Sequence, residues 1–420
     1  MPQIQTLCLW CESWVLMDQK KSNKMKNIVQ ITLVLVAFVV SACTDLDLEP
    51  RSTATAPVLL TDASSYRAFI ARVYAGLAVT GQQGPAGQAD ISSLDEGFSN
   101  YLRQYWQFQE LTTDEAIIGW GDEGLPDLHN HTWTDANQFV RAMYYRIFFQ
   151  VSMANEFLKE STAELLDRRE IPSSFRPEIE MYRAEARFLR ALSYLHGIDL
   201  FGDIPFYTEA NGVGSAAPQQ VSRAQVFDFI ASELAAIEPM LPAPGANEYG
   251  RVDKAAVWML QARLYLNAEV YTGTAKYTEA LTAVNKVINA GTYSLSNDYA
   301  HLFLADNHTS AEMIWSIPFD GESTQTWGGM TYLTHAPVGG SMDPAEFGIN
   351  GGWSGLRTTS ALVDQFPDET GALDSRAMFH LDGQNKAIDD ISNFNDGYAI
   401  TKYKNVTSDG LPGADLTHTD

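Results

Sequence analysis

The sequence predicts a mainly α-helical fold, a superhelix of helix pairs whose long irregular loops carry the candidate ligand site. Two observations support this prediction. Apolar residues recur at the three- and four-residue spacing of amphipathic helices in six separate segments, whereas strand-like patterns are confined to short pieces such as MIWSIPF. The composition, with 45% hydrophobic and 19% charged residues in a chain of 420, is typical of a folded globular protein and not of a disordered one.

The N-terminal part has the layout of an export signal. A basic stretch precedes an apolar run from Ile28 to Val40, and small residues then lead to Cys43. The run is shorter than the roughly 20 residues that a membrane-spanning helix needs. The sequence Val-Ser-Ala-Cys resembles the lipobox of bacterial lipoproteins, which predicts cleavage before Cys43 and lipidation of that residue, so that acyl chains hold the protein at a membrane. A cleaved signal without lipid is the alternative.

The predicted organisation follows from this signal. Met25 directly precedes the basic and apolar stretch and is the expected start. The segment after the anchor is rich in Ser, Thr, Ala and Pro, as tethers are. The acidic TDLDLEP sequence resembles the surface-export signal of lipoproteins from Bacteroides-like bacteria, which predicts an outer-membrane, cell-surface location. The predicted segments are a mis-assigned upstream start at 1–24, a signal peptide at 25–42, a lipidated tether at 43–63 and a ligand-binding domain at 64–420.

Six helices are predicted, and their boundaries have local causes. Ser222 offers a polar N-cap to the fourth helix, Pro239 and Pro242 end it, and Gly291 ends the sixth. The predicted spans are about 69 to 81, 137 to 161, 177 to 201, 223 to 238, 252 to 271 and 276 to 290.

The fifth and sixth helices form a predicted hairpin, because a short Thr-Gly-Thr-Ala turn joins them. Small alanines alternate there with large apolar residues. This arrangement resembles tetratricopeptide packing, in which a hairpin buries its apolar face only by stacking on a neighbour, although no regular repeat of about 34 residues is present. Residues 81–135 and those from 291 onward are predicted as long irregular loops rich in Gly, Asn, Asp, Trp and Tyr, and loops of this kind are usually functional.

Residues 183–209 read RAEARFLRALSYLHGIDLFGDIPFYTE, and this segment is similar to the signature of the SusD/RagB family of outer-membrane glycan-binding lipoproteins. Several loops, among them ELTTDEAIIGW, TWGGMTYL and NGGWS, resemble those of starch-binding members. The resemblance implies a protein without enzymatic activity that captures starch or malto-oligosaccharides and delivers them to a SusC-like TonB-dependent transporter. The same role with a different glycan or nutrient is the alternative. The family carries a further helical segment, so the domain is expected to be C-terminally incomplete.

The resemblance also implies a ligand site made of an arc of aromatic side chains with polar partners. Two positions depart from the family: Ile118 stands where a second aromatic is expected, and Glu123 replaces an asparagine that bonds sugar hydroxyls. These departures would shift the sugar preference. The family's calcium site is also altered, because His308 stands where an acid is expected; calcium stays possible, and no other cofactor is expected. The positions implied to bind ligand are Trp120, Trp327, Trp353, Arg103 and Glu123.

The residue types themselves suit such a site. A sugar ring has an apolar C–H face and a rim of hydroxyls, so its binding needs flat aromatic platforms flanked by polar groups. The three tryptophans lie in the contexts GWG, WGG and GGW, which predict exposed indoles, whereas Trp258 lies on a helical apolar stripe and is predicted as core. The alternatives are that the three tryptophans pin loops to the body and that Arg103 forms a surface ion pair with Asp95 or Glu96.

Other function classes have less support. A net charge of -24 disfavours nucleic acid, whose phosphates the protein would repel. Carboxylates near Asp95 and Glu123 would suit a glycosidase, but acidic residues are so abundant that their clustering says little. His129 and His131 lack a third metal ligand nearby, and the pair Cys8 and Cys11 lacks a second pair, so both are weak metal signals.

Overall fold

The computed structural model describes residues 56–84, 88–211 and 216–414. The predicted upstream segment, the signal peptide, Cys43 and the predicted tether as far as residue 55 lie outside these residues. The chain divides into two compact units, residues 1–59 and 60–420. Within the first unit, the described part is the short helix α1, Ala56–Leu59. Across the described residues, every helix is too short or too polar to cross a membrane.

The second unit is mainly helical, as predicted. The helices described in this unit are α2 (Ala63–Ala78), α3 (Tyr101–Glu110), α4 (Pro126–Asn130), α5 (Gln138–Glu160), α6 (Ala163–Arg168), α7 (Arg176–Phe201), α8 (Arg223–Ile237), α9 (Lys254–Leu266), α10 (Ala268–Thr272), α11 (Tyr277–Ala290), α12 (Gly329–His335) and α13 (Ser360–Val363). Long helices that follow one another along the chain pack in pairs, with α5 on α7, α7 on α8 and α9 on α11, which is the predicted helix-pair architecture.

Helical structure is present in each of the six predicted segments, and two of the predicted end signals, Ser222 and Gly291, are confirmed. The Ser222 side chain accepts from the backbone N–H of Gln225 and forms a capping box with it, and Gly291 ends α11 at a φ of 65°. The fifth predicted helix is in fact two, α9 and α10. It breaks at Asn267, whose side-chain amide donates to the carbonyl of Arg263 and competes with the helical bonds there.

The prediction of an irregular segment over 81–135 is wrong where α3 forms. Its buried side chains are largely polar, among them Arg103, Gln104 and Gln107, so the residues that face the interior are not those that an argument from apolar periodicity selects. The strand-like reading of 313–319 is also wrong, because the described residues there form no strand. Trp315 of that segment instead donates to the carbonyl of Gly250 and packs edge-on against Phe188.

Trp258 is half-buried rather than fully in the core. Its indole N–H donates to Glu238 at 2.8 Å, and the ammonium of Lys286 lies 5.7 Å from the ring centre. A polar end that needs a partner explains why the apolar-stripe prediction holds only in part.

Short strands pair two by two. They are β1 (Ala116–Ile118), β2 (Ile204–Pro205), β3 (Gln220–Val221), β4 (Leu356–Thr358), β5 (Phe379–His380) and β6 (Ala399–Ile400), paired as β1 with β4, β2 with β3 and β5 with β6, all antiparallel. In the first pair Ile118 lies opposite Leu356, so the residues after β1 meet those before β4. This pairing brings together two loops that are more than two hundred positions apart in the sequence.

Candidate functional site

The three predicted tryptophans lie together in one row. The ring centres of Trp120 and Trp353 are 6.1 Å apart with 51° between their planes, and those of Trp353 and Trp327 are 6.0 Å apart at 50°. Trp353 is therefore the middle of the row. All three side chains are half-buried, so the prediction of freely exposed indoles is only partly right.

Trp120 is fixed by the pairing of β1 with β4. Past the end of β1, the N–H of Gly119 donates to the carbonyl of Gly355 at 3.0 Å, and the indole N–H of Trp120 donates to the carbonyl of Trp353 at 3.1 Å. A methyl group on Gly355 would lie 2.3 Å from the indole, which is closer than two carbon atoms can approach. Glycine at position 355 thus makes room for the Trp120 ring against the loop that carries Trp353.

Trp353 rests on helix α12. Its backbone N–H donates to the carbonyl of His335 at 2.9 Å, and the imidazole of His335 stacks on its indole at 4.9 Å with 25° between the planes. The Nδ1–H of His335 donates to the carbonyl of Gly351 at 2.7 Å. Burial lowers the pKa of His335, so the ring that supports Trp353 is neutral at pH 7.

Trp327 is held through helix α3. The side chain of Asn100 caps α3 by accepting from the N–H of Arg103, and its oxygen also accepts from the N–H of Gly329 at 2.9 Å. A methyl group on Gly328 would lie 2.1 Å from the Asn100 side chain. The two glycines after Trp327 therefore let the loop close onto the end of α3.

Arg103 connects these parts. Its guanidinium donates to the carbonyls of Gly97 and Trp327 at 3.2 and 3.1 Å, and it lies over the rings of Trp120 and Tyr332, 5.6 and 4.8 Å from their centres. Arg103 is only 9% exposed, and burial lowers its pKa. The alternative of a surface ion pair is wrong, because in the described part of the chain the charge faces carbonyls and aromatic faces instead.

Known proteins with sequences similar to this chain include SusD and SusD-like proteins. The chain is 32% identical to the starch-binding protein SusD of Bacteroides thetaiotaomicron over 95% of its own length and 78% of that protein. The chain belongs to the SusD family. It is also 28% identical to the SusD-like protein P2 of Formosa agariphila over 58% of the chain and 46% of that protein. No protein-family model matches the chain.

Solved structures of SusD-like proteins share the fold. Surface glycan-binding protein A from Bacteroides thetaiotaomicron superposes with a TM-score of 0.63 at 17% identity, over 85% of this chain and 74% of that one. A SusD superfamily protein from the same organism gives a TM-score of 0.60 at 14% identity, over 81% and 69% of the two chains. The predicted family and the mainly helical fold are confirmed.

The two departures from the SusD family lie in different places. Ile118 is 4% exposed at the end of β1 and packs in a core cluster with Leu125 and Leu356, so its side chain is inside the protein and offers no platform to a ligand. Glu123 is exposed, and its backbone carbonyl accepts from the side chain of Gln138 at 2.6 Å. Of the two, only Glu123 presents its side chain to solvent.

Sequence reasoning missed two residues that support the tryptophan row. The first is Tyr332, which is fully buried between Trp106 and Trp120 and under Arg103. The second is His335, beneath Trp353. Tyr332 lies inside the TWGGMTYL segment that resembles starch-binding members, so a signal for it was present. His335 had none, because its role depends on a contact across the fold.

The residues that raised the question of a metal do not converge. No group of three His, Cys, Asp or Glu side chains suited to a metal ion occurs among the described residues. The Nε2–H of His131 donates to the carbonyl of Thr112, while the carboxylate of Asp306 accepts from both the backbone and the hydroxyl of Ser408. His308 contacts the ring of Tyr249. The surroundings of Asp306 and His308 therefore do not fit a calcium site.

Proposed function

We propose that this protein is a cell-surface lipoprotein that captures starch or malto-oligosaccharides across Trp120, Trp353 and Trp327 and delivers them to a SusC-like TonB-dependent transporter in the outer membrane. The observation that carries the proposal is the row of three adjoining indoles. The ring planes of neighbouring indoles are inclined to each other by 51° and 50°. Aromatic platforms with free polar groups beside them are what the alternating apolar face and hydroxyl rim of a sugar require.

The tilt of the row favours a curved ligand. A straight, ribbon-like glycan presents sugar faces in one plane, and three platforms inclined by 51° and 50° to their neighbours are not coplanar. A glucan chain that coils turns successive sugar rings relative to one another, and α-linked glucans coil in this way. Similarity to the starch-binding protein SusD supports the same choice.

A different glycan is the second candidate. Surface glycan-binding protein A from Bacteroides thetaiotaomicron has been solved in complex with laminarihexaose, and its TM-score with this chain is 0.61 at 16% identity. Glu123, three residues after Trp120, is exposed and stands where the resemblance implies an asparagine. A carboxylate offers two acceptor oxygens to sugar hydroxyls, whereas an asparagine amide offers one acceptor and one donor group. Both features make laminarin the informative competitor of starch.

Retardation of the protein in native gels tests the ligand. We expect slower migration in gels that contain amylopectin than in gels that contain laminarin or a cellulose derivative. The tilt of the indoles disfavours the flat chain of cellulose, and similarity to the starch-binding protein SusD favours α-glucan over laminarin. Bovine serum albumin run in each gel controls for viscosity. Stronger retardation by laminarin would transfer the proposal to β-glucan, and no retardation by any of the three would overturn a polysaccharide ligand.

The lipid anchor and the transporter rest on the sequence resemblance. Cys43→Ala should release the protein from the membrane fraction, because it removes the site of lipidation. The apolar run before Cys43 is too short to span the bilayer and so cannot replace the lipid as an anchor. Fractionation of cells, with protease added from outside, measures both anchoring and surface exposure. Co-purification with a TonB-dependent transporter encoded by the same cells tests the partner, and recovery of the intact protein without any such transporter would count against delivery.

A further inference from the structure

Trp133 is the most exposed tryptophan of the described residues. Trp133 is 43% exposed, whereas the other tryptophans that the structure describes are all half-buried. Its one ring contact is with His131, whose imidazole lies 5.6 Å away at 70° to the indole. An edge-to-face neighbour on one side leaves apolar ring surface in water, which is unfavourable unless a ligand covers it.

The loop that presents Trp133 is held at both ends. The N–H of Thr132 donates to the carbonyl of Asp127 at 3.0 Å, and the side chain of Asn137 donates to the carboxylate of Asp127 at 3.0 Å. His131 is in the left-handed region at a φ of 55°, and its ring donates to the carbonyl of Thr112 at 3.0 Å. A side chain on so well-anchored a loop loses little freedom when it binds a ligand.

The loop is also tied to the three-tryptophan row. Asn137 donates to the carbonyl of Gly124 at 2.7 Å, and Gln138 donates to the carbonyl of Glu123 at 2.6 Å. Residues 121–124 follow Trp120 in the chain. The two hydrogen bonds therefore join the segment after Trp120 to the segment that carries Trp133. Trp133 is thus carried by a segment that is attached to the chain leaving the Trp120 end of the row.

The surroundings of Trp133 identify the chemical class of the ligand. Residues 129–136 are all exposed, and Trp133 is the single large apolar side chain among them. His129 and Asn130 make no side-chain hydrogen bond within the described part of the chain, so their donors and acceptors are free. Protein-binding hot spots lie inside a ring of packed apolar contacts. One indole with the free imidazole of His129 and the free amide of Asn130 close to it in the chain suits a sugar ring instead.

We infer that Trp133 is an outer sugar-stacking subsite that engages glucan chains too long to be held by Trp120, Trp353 and Trp327 alone. This inference rests on the proposed function of the row. It makes the affinity of the protein depend on chain length: a short oligosaccharide fills the row, and a polymer also reaches Trp133. Such a subsite would favour capture of starch itself over capture of its small fragments.

The test compares Trp133→Ala with wild type on three ligands of increasing length. We expect unchanged binding of maltotriose and a loss of about two- to tenfold in affinity for amylopectin, the size of a single aromatic contact, with maltoheptaose showing which length first reaches the subsite. Trp133→Tyr keeps a stacking ring and should restore most of the loss. Tyr277→Ala, which removes an aromatic side chain 55% exposed on α11, is the control and should change no affinity.

The outcomes separate this inference from the proposed function. Unchanged amylopectin affinity of Trp133→Ala, with maltotriose still bound, overturns the outer subsite alone. Equal losses for maltotriose and amylopectin also overturn it, because the indole would then support the row and not a longer chain. Absence of α-glucan binding by the wild type overturns the proposed function and the subsite together. Thermal unfolding of Trp133→Ala at the wild-type temperature excludes a folding defect as the cause.

Discussion

Two of the arginines buried in the described part of the chain, Arg190 in the helical body and Arg103 in the tryptophan site, have different partners. Arg190 of α7 donates to the carboxylate of Glu233 at 2.7 Å and also contacts Glu209. Arg103 of α3 donates to two backbone carbonyls and lies over two aromatic rings. In the body the buried guanidinium is hydrogen-bonded to carboxylates, whereas in the site it is hydrogen-bonded to neutral carbonyls, and Asp95 and Asp122 act on it only from a greater distance.

The difference indicates what each region is built for. A buried ion pair holds helices in one arrangement, because loss of either partner leaves an uncompensated charge. A buried cation without a carboxylate partner keeps the nearby surface free of paired ions and spreads its charge over π faces. Such a surface suits a neutral ligand that brings hydroxyls and C–H groups. Stability and ligand binding should therefore respond to changes in different residues.

The largest effect is expected in the body. Arg190→Met should lower the free energy of unfolding by about 3 kcal/mol, because it leaves Glu209 without its buried partner and Glu233 with Arg187 alone. Urea denaturation measures this. Arg168→Met is the control, since its pair with Glu164 has side chains 67% and 81% exposed and should change stability by less than about 0.5 kcal/mol. Glucan affinity of the folded Arg190→Met protein should equal that of wild type. A loss of affinity without a loss of stability would contradict the division between the regions.

In the site, a single methyl group should disturb binding more than folding. Gly355→Ala places a carbon 2.3 Å from the Trp120 indole, so the ring must turn and give up its hydrogen bond to the carbonyl of Trp353. The displaced platform gives up a stacking contact worth about 0.5–1.5 kcal/mol, so we expect about a two- to tenfold loss of maltoheptaose affinity by calorimetry. Gly351→Ala lies in the same loop with open space around the new methyl, and it should bind as wild type does. Equal losses for the two variants would show that the loop, not the indole, matters.

Acid should weaken the body through His196. Its ring nitrogen lies 2.8 Å from the hydroxyl of Tyr101 and its ring stacks on Tyr105, and burial lowers the pKa of His196 to about 3. Since an unfolded histidine binds a proton near pH 6.5, unfolding takes up a proton below that pH. The stability that neutral His196 contributes is complete above about pH 6.5 and is lost as the pH falls towards 3, at up to about 1.4 kcal/mol per pH unit.

Denaturation curves of wild type and His196→Asn between pH 7 and pH 5 isolate this contribution, because all other groups titrate in both proteins. The wild type should lose more stability than the variant over this range. Parallel pH dependences would mean that the pKa of His196 is the same in the folded and the unfolded protein. His335 in the site also has a pKa lowered by burial, so His335→Asn tests whether the site shares the response.

The body could be predicted from the sequence and the site only in part, for a physical reason. The helices α5, α7 and α8 bury apolar stripes, and local caps such as Ser222 mark their ends. The site depends on α3, whose buried face is polar, and on the pairing of Ala116 with Thr358 across the fold. Glycine-rich contexts and family resemblance identified the three tryptophans. No local pattern could show that Trp353 lies between the other two or that His335 lies beneath it.

The smallest effects are expected from the platforms themselves. Trp120→Ala and Trp353→Ala should each weaken maltoheptaose binding by about two- to tenfold, because one stacking contact is worth about 0.5–1.5 kcal/mol. Both indoles are half-buried and pack against the core cluster of Leu333 and Leu356, so the thermal midpoint should also fall slightly. The fall in midpoint makes a matched control necessary.

Trp258→Ala supplies that control. It removes an indole that is also half-buried and also donates its N–H to an acceptor, Glu238, but from the helical body. It should cost comparable stability and leave the affinity for maltoheptaose unchanged. If Trp258→Ala weakened binding as much as Trp353→Ala does, the loss would come from general loosening of the fold. Wild-type affinity in the double variant of Trp120 and Trp353 would remove the row of indoles from the ligand site, and the two regions would no longer differ in function.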